Sequence, residues 1–172
     1  MTTRVSLKSY WVALIASLLL LATAYFYFQQ YLGMYPCPLC MLQRACLVGV
    51  AFIACLGLIK RPSLNLHRLY ALLILVCTST GTFIAGRHVW LQSLPAEKVP
   101  ECGFDPIYRW GNDDSYGLLD MIATTLKGSG DCAAVDKFLG VSIAMWMLGI
   151  FVVMTLFVLW KLISPPRRLV KY

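Results

Sequence analysis

The sequence is poor in charged residues. Only 13% of its 172 residues are charged, whereas 59% are hydrophobic, and the mean hydropathy is +0.71. So few charges could not cover the apolar surface of a soluble domain of this length, so the composition excludes a soluble domain and favours a membrane protein. The net charge of +7 comes from scattered basic residues that form no long run, and it therefore does not indicate a nucleic-acid-binding protein.

Acidic residues are absent from most of the chain, and their distribution helps to fix the topology. All eight lie between Glu97 and Asp136. Nine of the 15 basic residues, in contrast, lie in the two terminal segments or between residues 60 and 68. The positive-inside rule places these three segments on the cytoplasmic side.

Four uninterrupted or nearly uninterrupted apolar stretches are each close to the roughly 20 residues that cross a membrane as a helix. They run at about 11–28, 39–59, 69–86 and 138–160. The first is longer than the apolar core of a signal peptide and lacks a small-residue cleavage site, so we expect it to be retained. We therefore predict an all-α polytopic membrane protein, a bundle of four transmembrane helices that forms a single membrane domain over residues 1–172. Both termini are predicted to be cytoplasmic, and the loops at about 29–38 and 87–137 face outward.

The longer outward loop contains one helical pattern of its own. Apolar residues recur at helical spacing within the segment 116–128, YGLLDMIATTLKG. This pattern predicts a short amphipathic helix on the membrane surface, and simple packing of the loop is the alternative.

The seven cysteines fall into two groups. Three lie inside predicted spans and are expected to be small hydrophobic core residues: Cys46, Cys55 and Cys77. The other four form two pairs in the outward loops, Cys37 with Cys40 and Cys102 with Cys132, where disulfides form and persist. Taken alone, the 102–132 pair is explained by a structural disulfide that closes a long loop. The 37–40 pair closes too small a loop for that role, and C-x-x-C pairs are typical of redox sites.

A metal site is the competing interpretation of these cysteines. A tetrahedral site would need four ligands, and the chain has only two histidines, His67 and His88, of which His67 is on the cytoplasmic side. A site made of all four loop cysteines remains possible from the sequence. We predict no resident metal.

The segment YPCPLCMLQR, residues 35–44, opens the second span. Pro38 suits the first turn of a helix, so Cys37 is expected near the N-cap and Cys40 in the first turn. The free backbone N–H groups and the helix dipole there favour the Cys40 thiolate. Arg44 is one turn further along the same face, where it can stabilise that thiolate or bind a ligand oxygen. The alternative for Arg44 is an interfacial side chain that reaches the lipid headgroups.

Electrons taken from thiols at this position need an acceptor. The sequence contains no C-x-x-C-H haem-attachment motif, no G-x-G-x-x-G and no further cysteine cluster for an iron–sulfur centre. An acceptor dissolved in the bilayer remains, and a quinone fits the position of Cys40 and Arg44.

The pattern as a whole resembles the DsbB family, the quinone-linked membrane proteins that generate disulfides in bacteria. The resemblance covers nearly the whole chain and rests on the four spans and five motifs. These are PCPLC at 36–40, QR at 43–44, VPECGF at 99–104, GSGDCA at 128–133 and FLG…WMLGIF at 138–151. The chain departs from the best-known family pattern at Gln43, where an acidic residue often precedes the arginine, and at Pro38. These changes affect the expected redox poise or quinone preference.

The resemblance implies an activity and roles for individual residues. Cys102 is expected to form a mixed disulfide with a periplasmic DsbA-like partner of thioredoxin fold, and Cys132 to resolve it. Cys37 and Cys40 then receive the electrons, and Cys40 lies against a ubiquinone or menaquinone ring in the bacterial inner membrane.

Two further residues carry expectations from the same resemblance. Arg44 is expected in the quinone site, and His88 near the quinone, although His88 is equally explained as an interfacial histidine beside Trp90. Two other functions remain as alternatives. One is a quinone-coupled reductase of the vitamin K epoxide type, in which the C-x-x-C pair comes late in the chain. The other is a four-span membrane protein with structural disulfides or a metal-handling role.

Overall fold

The computed structural model describes residues 7–34, 36–60, 62–95, 97, 117–127, 130–133, 135 and 137–164. Four of its helices are long and apolar enough to cross a membrane. The helices in chain order are α1 (Lys8–Ala22), which continues as a π-helix (Thr23–Tyr31), α2 (Pro38–Lys60), α3 (Leu64–Gln92), α4 (Leu118–Lys127), α5 (Gly130–Ala133) and α6 (Ile143–Ile163). Two short strands, β1 (Lys137–Phe138) and β2 (Val141–Ser142), pair antiparallel before α6. The predicted all-α membrane architecture with four spanning helices is confirmed.

The bounds of two helices differ from the predicted spans. Helix α3 has 29 residues and extends beyond the predicted 69–86 at both ends. Helix α6 begins at Ile143, later than the predicted 138, because a hairpin turn precedes it. Leu139 and Gly140 in this turn have φ values of 54° and 82°, which a helix cannot contain. The Ser142 hydroxyl then caps the helix by accepting a hydrogen bond from the Met145 N–H at 3.2 Å.

Helices α2 and α3 form the middle of the bundle, since they pack against each other while α1 packs against α2 and α6 packs against α3. Two glycines allow aromatic rings to approach the helices closely. A Cβ on Gly57 would lie 2.5 Å from the Tyr10 ring, and a Cβ on Gly81 would overlap the Phe151 ring. These contacts fix how α1 and α6 lie against the α2–α3 pair.

The π-helix at the end of the first span packs against the hairpin. The rings of Tyr27 and Phe28 lie edge-on to Phe138, with centroids 6.0 and 5.5 Å away. The Trp146 indole N–H donates to the Phe138 carbonyl at 3.1 Å and holds the hairpin against α6. The end of the first span and the start of the fourth are thereby joined through aromatic contacts.

The amphipathic pattern in the long loop forms helix α4, as predicted. Its last turn is attached to α3 through Arg87, whose Nε donates to the Leu126 carbonyl at 3.3 Å. The Arg87 guanidinium also lies 4.1 Å from the centre of the Trp90 ring, a cation–π contact. Leu119, in contrast, is 81% exposed. The position of α4 on a membrane surface stays a prediction.

Candidate active site

The first turn of α2 fixes the positions of two cysteine sulfurs. The Met41 N–H donates to the Cys37 carbonyl at 3.1 Å, so Cys37 is the N-cap, and Pro38 is the first helical residue, as predicted. The Cys40 backbone N–H donates to the Cys37 Sγ at 3.4 Å. From the sequence we expected the free N–H groups of this turn to stabilise the Cys40 thiolate, whereas in the structure the Cys37 sulfur accepts the hydrogen bond from the Cys40 N–H.

The two sulfurs lie side by side with an imidazole next to them. Cys37 Sγ and Cys40 Sγ are 3.1 Å apart, so a movement of about 1 Å brings them to the roughly 2.05 Å of a disulfide bond. His88, near the end of α3, has Nε2 at 3.8 Å from the Cys37 sulfur and Nδ1 at 4.0 Å from the Cys40 sulfur. His88 is buried, and its ring packs within this cluster.

A third cysteine joins this cluster from the long loop. Cys132 in α5 is fully buried and packs in the same apolar cluster as Cys37, with Leu39, Ile84 and Leu91 completing its buried core. The His88 ring also interacts with the backbone of Cys132. Helix α5 packs against α3, and this contact brings the loop cysteine to the end of the bundle.

The Arg44 guanidinium lies one turn beyond Cys40 and contacts the π-helix. Its Nη1 donates to the Gln29 Oε1 at 2.8 Å, and its Nη2 donates to the Ala24 carbonyl at 3.0 Å. The side chain is half-buried and directed across to the first span. This position differs from the snorkelling alternative, in which the guanidinium reaches outward to lipid headgroups.

A cavity of about 290 Å³ opens between these groups. Its walls come from the π-helix, the start of α2, the end of α3, the start of α6 and the hairpin. Aromatic and aliphatic side chains predominate, including Tyr27, Phe28, Phe138 and Trp146. Few polar or thiol side chains interrupt this apolar lining, and they are Thr23, Cys37, Cys40, Gln43, Arg44, His88 and Gln92. Small organic ligands bind in pockets of this kind, where apolar walls carry a few placed polar groups.

Five of the six residues that the sequence singled out therefore meet at one end of the bundle. Cys37, Cys40, Arg44 and His88 line the cavity, and Cys132 packs beside them. The sixth, Cys102, lies outside the described residues.

Sequence reasoning missed Gln29, which accepts a hydrogen bond from Arg44. It noted Gln43 only as a departure from the family pattern and did not predict that this residue lines the cavity. An amide inside the otherwise apolar second span was the available signal for Gln43. The segment from Thr23 to Tyr31 gave no sequence signal for a π-helix, a conformation that is often found at functional sites.

The three cysteines inside the spans are all half-buried. Cys46 and Cys77 pack against the apolar clusters of the bundle, as expected of small hydrophobic residues.

Comparison with known proteins places this arrangement in a family. The family model described as "Disulfide bond formation protein DsbB" matches residues 7–161. A protein of Marinobacter nauticus named "Disulfide bond formation protein B" is 40% identical over 150 residues, which cover 85% of this chain and 87% of that protein. A protein of the same name from Methylococcus capsulatus is 43% identical over 136 residues, 78% of this chain and 80% of its own length. With four spanning helices and a cysteine cluster at one end of the bundle, this chain belongs to the DsbB family of disulfide bond formation proteins.

Proposed function

We propose that the chain is a protein-disulfide oxidoreductase that oxidises a periplasmic DsbA-like protein and passes the two electrons to a membrane quinone. The observation that carries this proposal is the meeting of Cys37, Cys40 and Cys132 in one buried cluster, beside a cavity that Arg44 and His88 also line. A structural disulfide alone gives no reason for a thiol pair to border a ligand-sized cavity within the membrane-spanning part of the chain.

Electrons and protons balance over two exchanges and one oxidation. The partner's dithiol reduces the Cys102–Cys132 disulfide, and the two partner thiols are thereby oxidised to a disulfide. The new thiols of Cys102 and Cys132 then reduce the Cys37–Cys40 disulfide by a second thiol–disulfide exchange. The quinone, when bound, accepts the two electrons and two protons that leave as the Cys37–Cys40 disulfide forms again.

The burial of Cys132 supports the second exchange. Its side chain packs in the cluster that contains Cys37 and Cys40, so one cysteine of the predicted loop pair lies beside the helix pair. Thiol–disulfide exchange requires direct attack of one sulfur on another, and the shared cluster supports such an approach.

His88 is suited to handle protons in this scheme. One ring nitrogen lies 3.8 Å from the Cys37 sulfur and the other lies 4.0 Å from the Cys40 sulfur. Each thiol must lose its proton before its sulfur can act as a nucleophile, and an imidazole is the side chain that most often accepts protons near neutral pH. We assign to His88 the transfer of a thiol proton toward the cavity.

The cavity lining fits a quinone. A quinone has an apolar ring and tail with carbonyl oxygens that only accept hydrogen bonds. The aromatic walls suit the ring, and the Arg44 guanidinium, which retains further N–H groups beyond the two in use, supplies donors. Arg44 and His88 would hold the headgroup, and the Cys40 sulfur lines the same cavity.

The same scheme places the protein in the bacterial inner membrane. The basic residues predict that the termini are cytoplasmic, so the cysteine end of the bundle faces the periplasm. A soluble thioredoxin-fold partner reaches Cys102 and Cys132 from that side, while the quinone reaches the cavity from the bilayer.

Anaerobic mixing of the purified protein with a quinone and a reduced thioredoxin-like partner tests this function. The quinone absorbance should fall as partner disulfide appears in equal amount, with ubiquinone and menaquinone analogues compared in parallel. A variant with both Cys37→Ser and Cys40→Ser should show no quinone reduction. Reduction that persists in this variant would show that electrons leave by another route.

One observation favours a second candidate function, the binding of a thiophilic metal ion. The ligand atoms of Cys37, Cys40 and His88 all lie within 4.8 Å of one another. Sulfur and imidazole ligands suit zinc or copper(I). Stoichiometric metal in the purified protein, together with the absence of quinone reduction in the mixing experiment, would support this candidate over the oxidoreductase.

A further inference from the structure

The Gln43 side chain is buried at the cavity and lacks a protein partner for its amide nitrogen. Gln43 is only 2% exposed and lines the cavity together with Cys40 and Arg44. Among the residues that the structure describes, only two buried side-chain polar atoms lack a hydrogen-bond partner, the Gln43 Nε2 and the Ser17 Oγ. Only the first belongs to a residue that lines the cavity.

An unpartnered amide donor in an apolar setting destabilises the protein, since the group has lost its hydrogen bonds to water. A ligand with an oxygen acceptor would remove this cost. A bound water molecule is a poorer hydrogen-bond partner for this amide. A buried water needs two to four polar partners, and the cavity walls are mostly apolar.

The neighbouring Arg44 differs from Gln43 because its side chain has protein hydrogen-bond partners. Its Nη1 and Nη2 already donate to the Gln29 Oε1 and to the Ala24 carbonyl. The first span therefore holds the guanidinium, whereas the Gln43 Nε2 has no protein partner and is enclosed by protein in this conformation. Rotation of the terminal amide about its last side-chain bond would present its hydrogens to a molecule in the cavity that Gln43 lines. Gln43 is also three residues after Cys40, so the two side chains share a face of α2 and are separated by roughly 4.5 Å along its axis.

We propose that the Gln43 amide donates a hydrogen bond to a carbonyl oxygen of the quinone and so orients the ring beside the Cys40 sulfur. This inference rests on the proposed function and assigns it a binding residue. Gln43 contributes affinity and orientation, whereas the cysteines carry the electrons. Because the donor has no protein partner to lose, its removal should weaken quinone binding without weakening the fold.

The test uses purified full-length protein freed of quinone, with a short-chain ubiquinone as the probe. Gln43→Met keeps the length of the side chain and removes the donor, and Gln43→Leu serves as a second variant of similar volume. Gln30→Met is the matched control, because Gln30 is exposed on the π-helix and does not line the cavity. Calorimetry gives the Kd, and infrared spectroscopy gives the carbonyl stretching frequency of the bound quinone, which a hydrogen bond lowers.

Both Gln43 variants should bind the quinone about fivefold to tenfold more weakly, the loss of one hydrogen bond. A carbonyl band should shift toward its frequency in apolar solvent, and the thermal stability of the quinone-free protein should stay the same or rise. Gln30→Met should match the wild type in Kd and in carbonyl frequency.

The experiment distinguishes failure of the proposed function from failure of the role assigned to Gln43. A wild-type protein that binds no quinone contradicts the proposed function itself. Wild-type binding, with an unchanged Kd and carbonyl band in both Gln43 variants, overturns only the role of Gln43 and assigns its amide to water. Lower stability of the quinone-free variants with unchanged binding would instead make Gln43 a structural residue, and the inference would be wrong.

Discussion

The two histidines of the chain lie near opposite ends of helix α3, 21 positions apart, which is roughly 30 Å along a helix axis. The His67 Nδ1 and the Tyr10 hydroxyl share a 2.7 Å hydrogen bond, and the two rings meet edge-on. His88 lies instead beside two cysteine sulfurs and a cavity. The polar groups at the His67 end thus bind one another, whereas those at the His88 end border space for a ligand.

The His67 end of the bundle contributes packing and stability, whereas the His88 end holds the reactive groups. Around His67, Tyr10 packs with Val50, Ala54, Tyr70 and Ile74 in a buried core cluster, and Gly57 accommodates its ring. Around His88, the bundle includes a π-helix, a sulfur pair and a buried amide without a partner in the described part of the chain. Such costly features persist at sites that bind or react, because a ligand or the reaction repays them. Substitutions near His88 should therefore lower quinone turnover with little change in stability. Substitutions near His67 should lower stability and leave turnover unchanged.

The largest effect is expected from Cys40→Ser. Quinone reduction should fall by at least about a thousandfold, since a hydroxyl can neither form the disulfide nor carry the electrons. Thermal stability should change little, because serine is similar in size to cysteine. Stopped-flow absorbance of the quinone measures the rate. Cys55→Ser, at a half-buried position outside the cavity lining, is the control and should retain full turnover.

Arg44→Met should lower quinone turnover by about tenfold to a hundredfold, because hydrogen bonds from a charged donor contribute roughly 1.5–3 kcal/mol. Exchange between the partner and the loop cysteines should persist, and trapping of the mixed disulfide on a non-reducing gel measures it. Arg68→Met, an exposed arginine at the opposite end, serves as the control. Equal turnover in the two variants would assign Arg44 to an interfacial role.

Gly81→Ala should destabilise the bundle by about 1–3 kcal/mol, because the added methyl group overlaps the Phe151 ring at the α3–α6 contact. Denaturation with SDS, followed by circular dichroism, measures the free energy of unfolding. Gly149→Ala is the matched control in α6, since its Cβ would have no described atom within 4 Å. If both substitutions have the same effect, the close packing at Gly81 is not what holds α6 in place.

The smallest effect is expected from Tyr10→Phe. Loss of the hydrogen bond to His67 should lower the free energy of unfolding by about 1 kcal/mol and leave quinone turnover unchanged. The same denaturation assay and the same stopped-flow assay measure the two quantities. A fall in turnover without a fall in stability would contradict the separation between the two ends.

The sequence predicted the spanning helices well because each is a long apolar run with few charges. It also located Cys37, Cys40, Arg44 and His88, which all line the cavity, because unusual residues near the end of a span are conspicuous. It could not predict the π-helix, whose contacts are with residues distant in the chain: the Phe28 ring meets Phe138, and the Ala24 carbonyl accepts a hydrogen bond from Arg44. It also could not reveal that Gln43 is buried without a partner, since a single amide at helical spacing looks the same whether it faces lipid, protein or a cavity.

The most direct measurement of the central claim is photolabelling with an azido-quinone, carried out on the intact protein in membranes and mapped by mass spectrometry. We expect the label to attach to cavity-lining residues such as Tyr27, Phe28 and Met147, and excess unlabelled quinone to prevent it. Labelling near Tyr10 and Tyr70, at the opposite end, that excess quinone prevents would contradict a quinone site beside the cysteines.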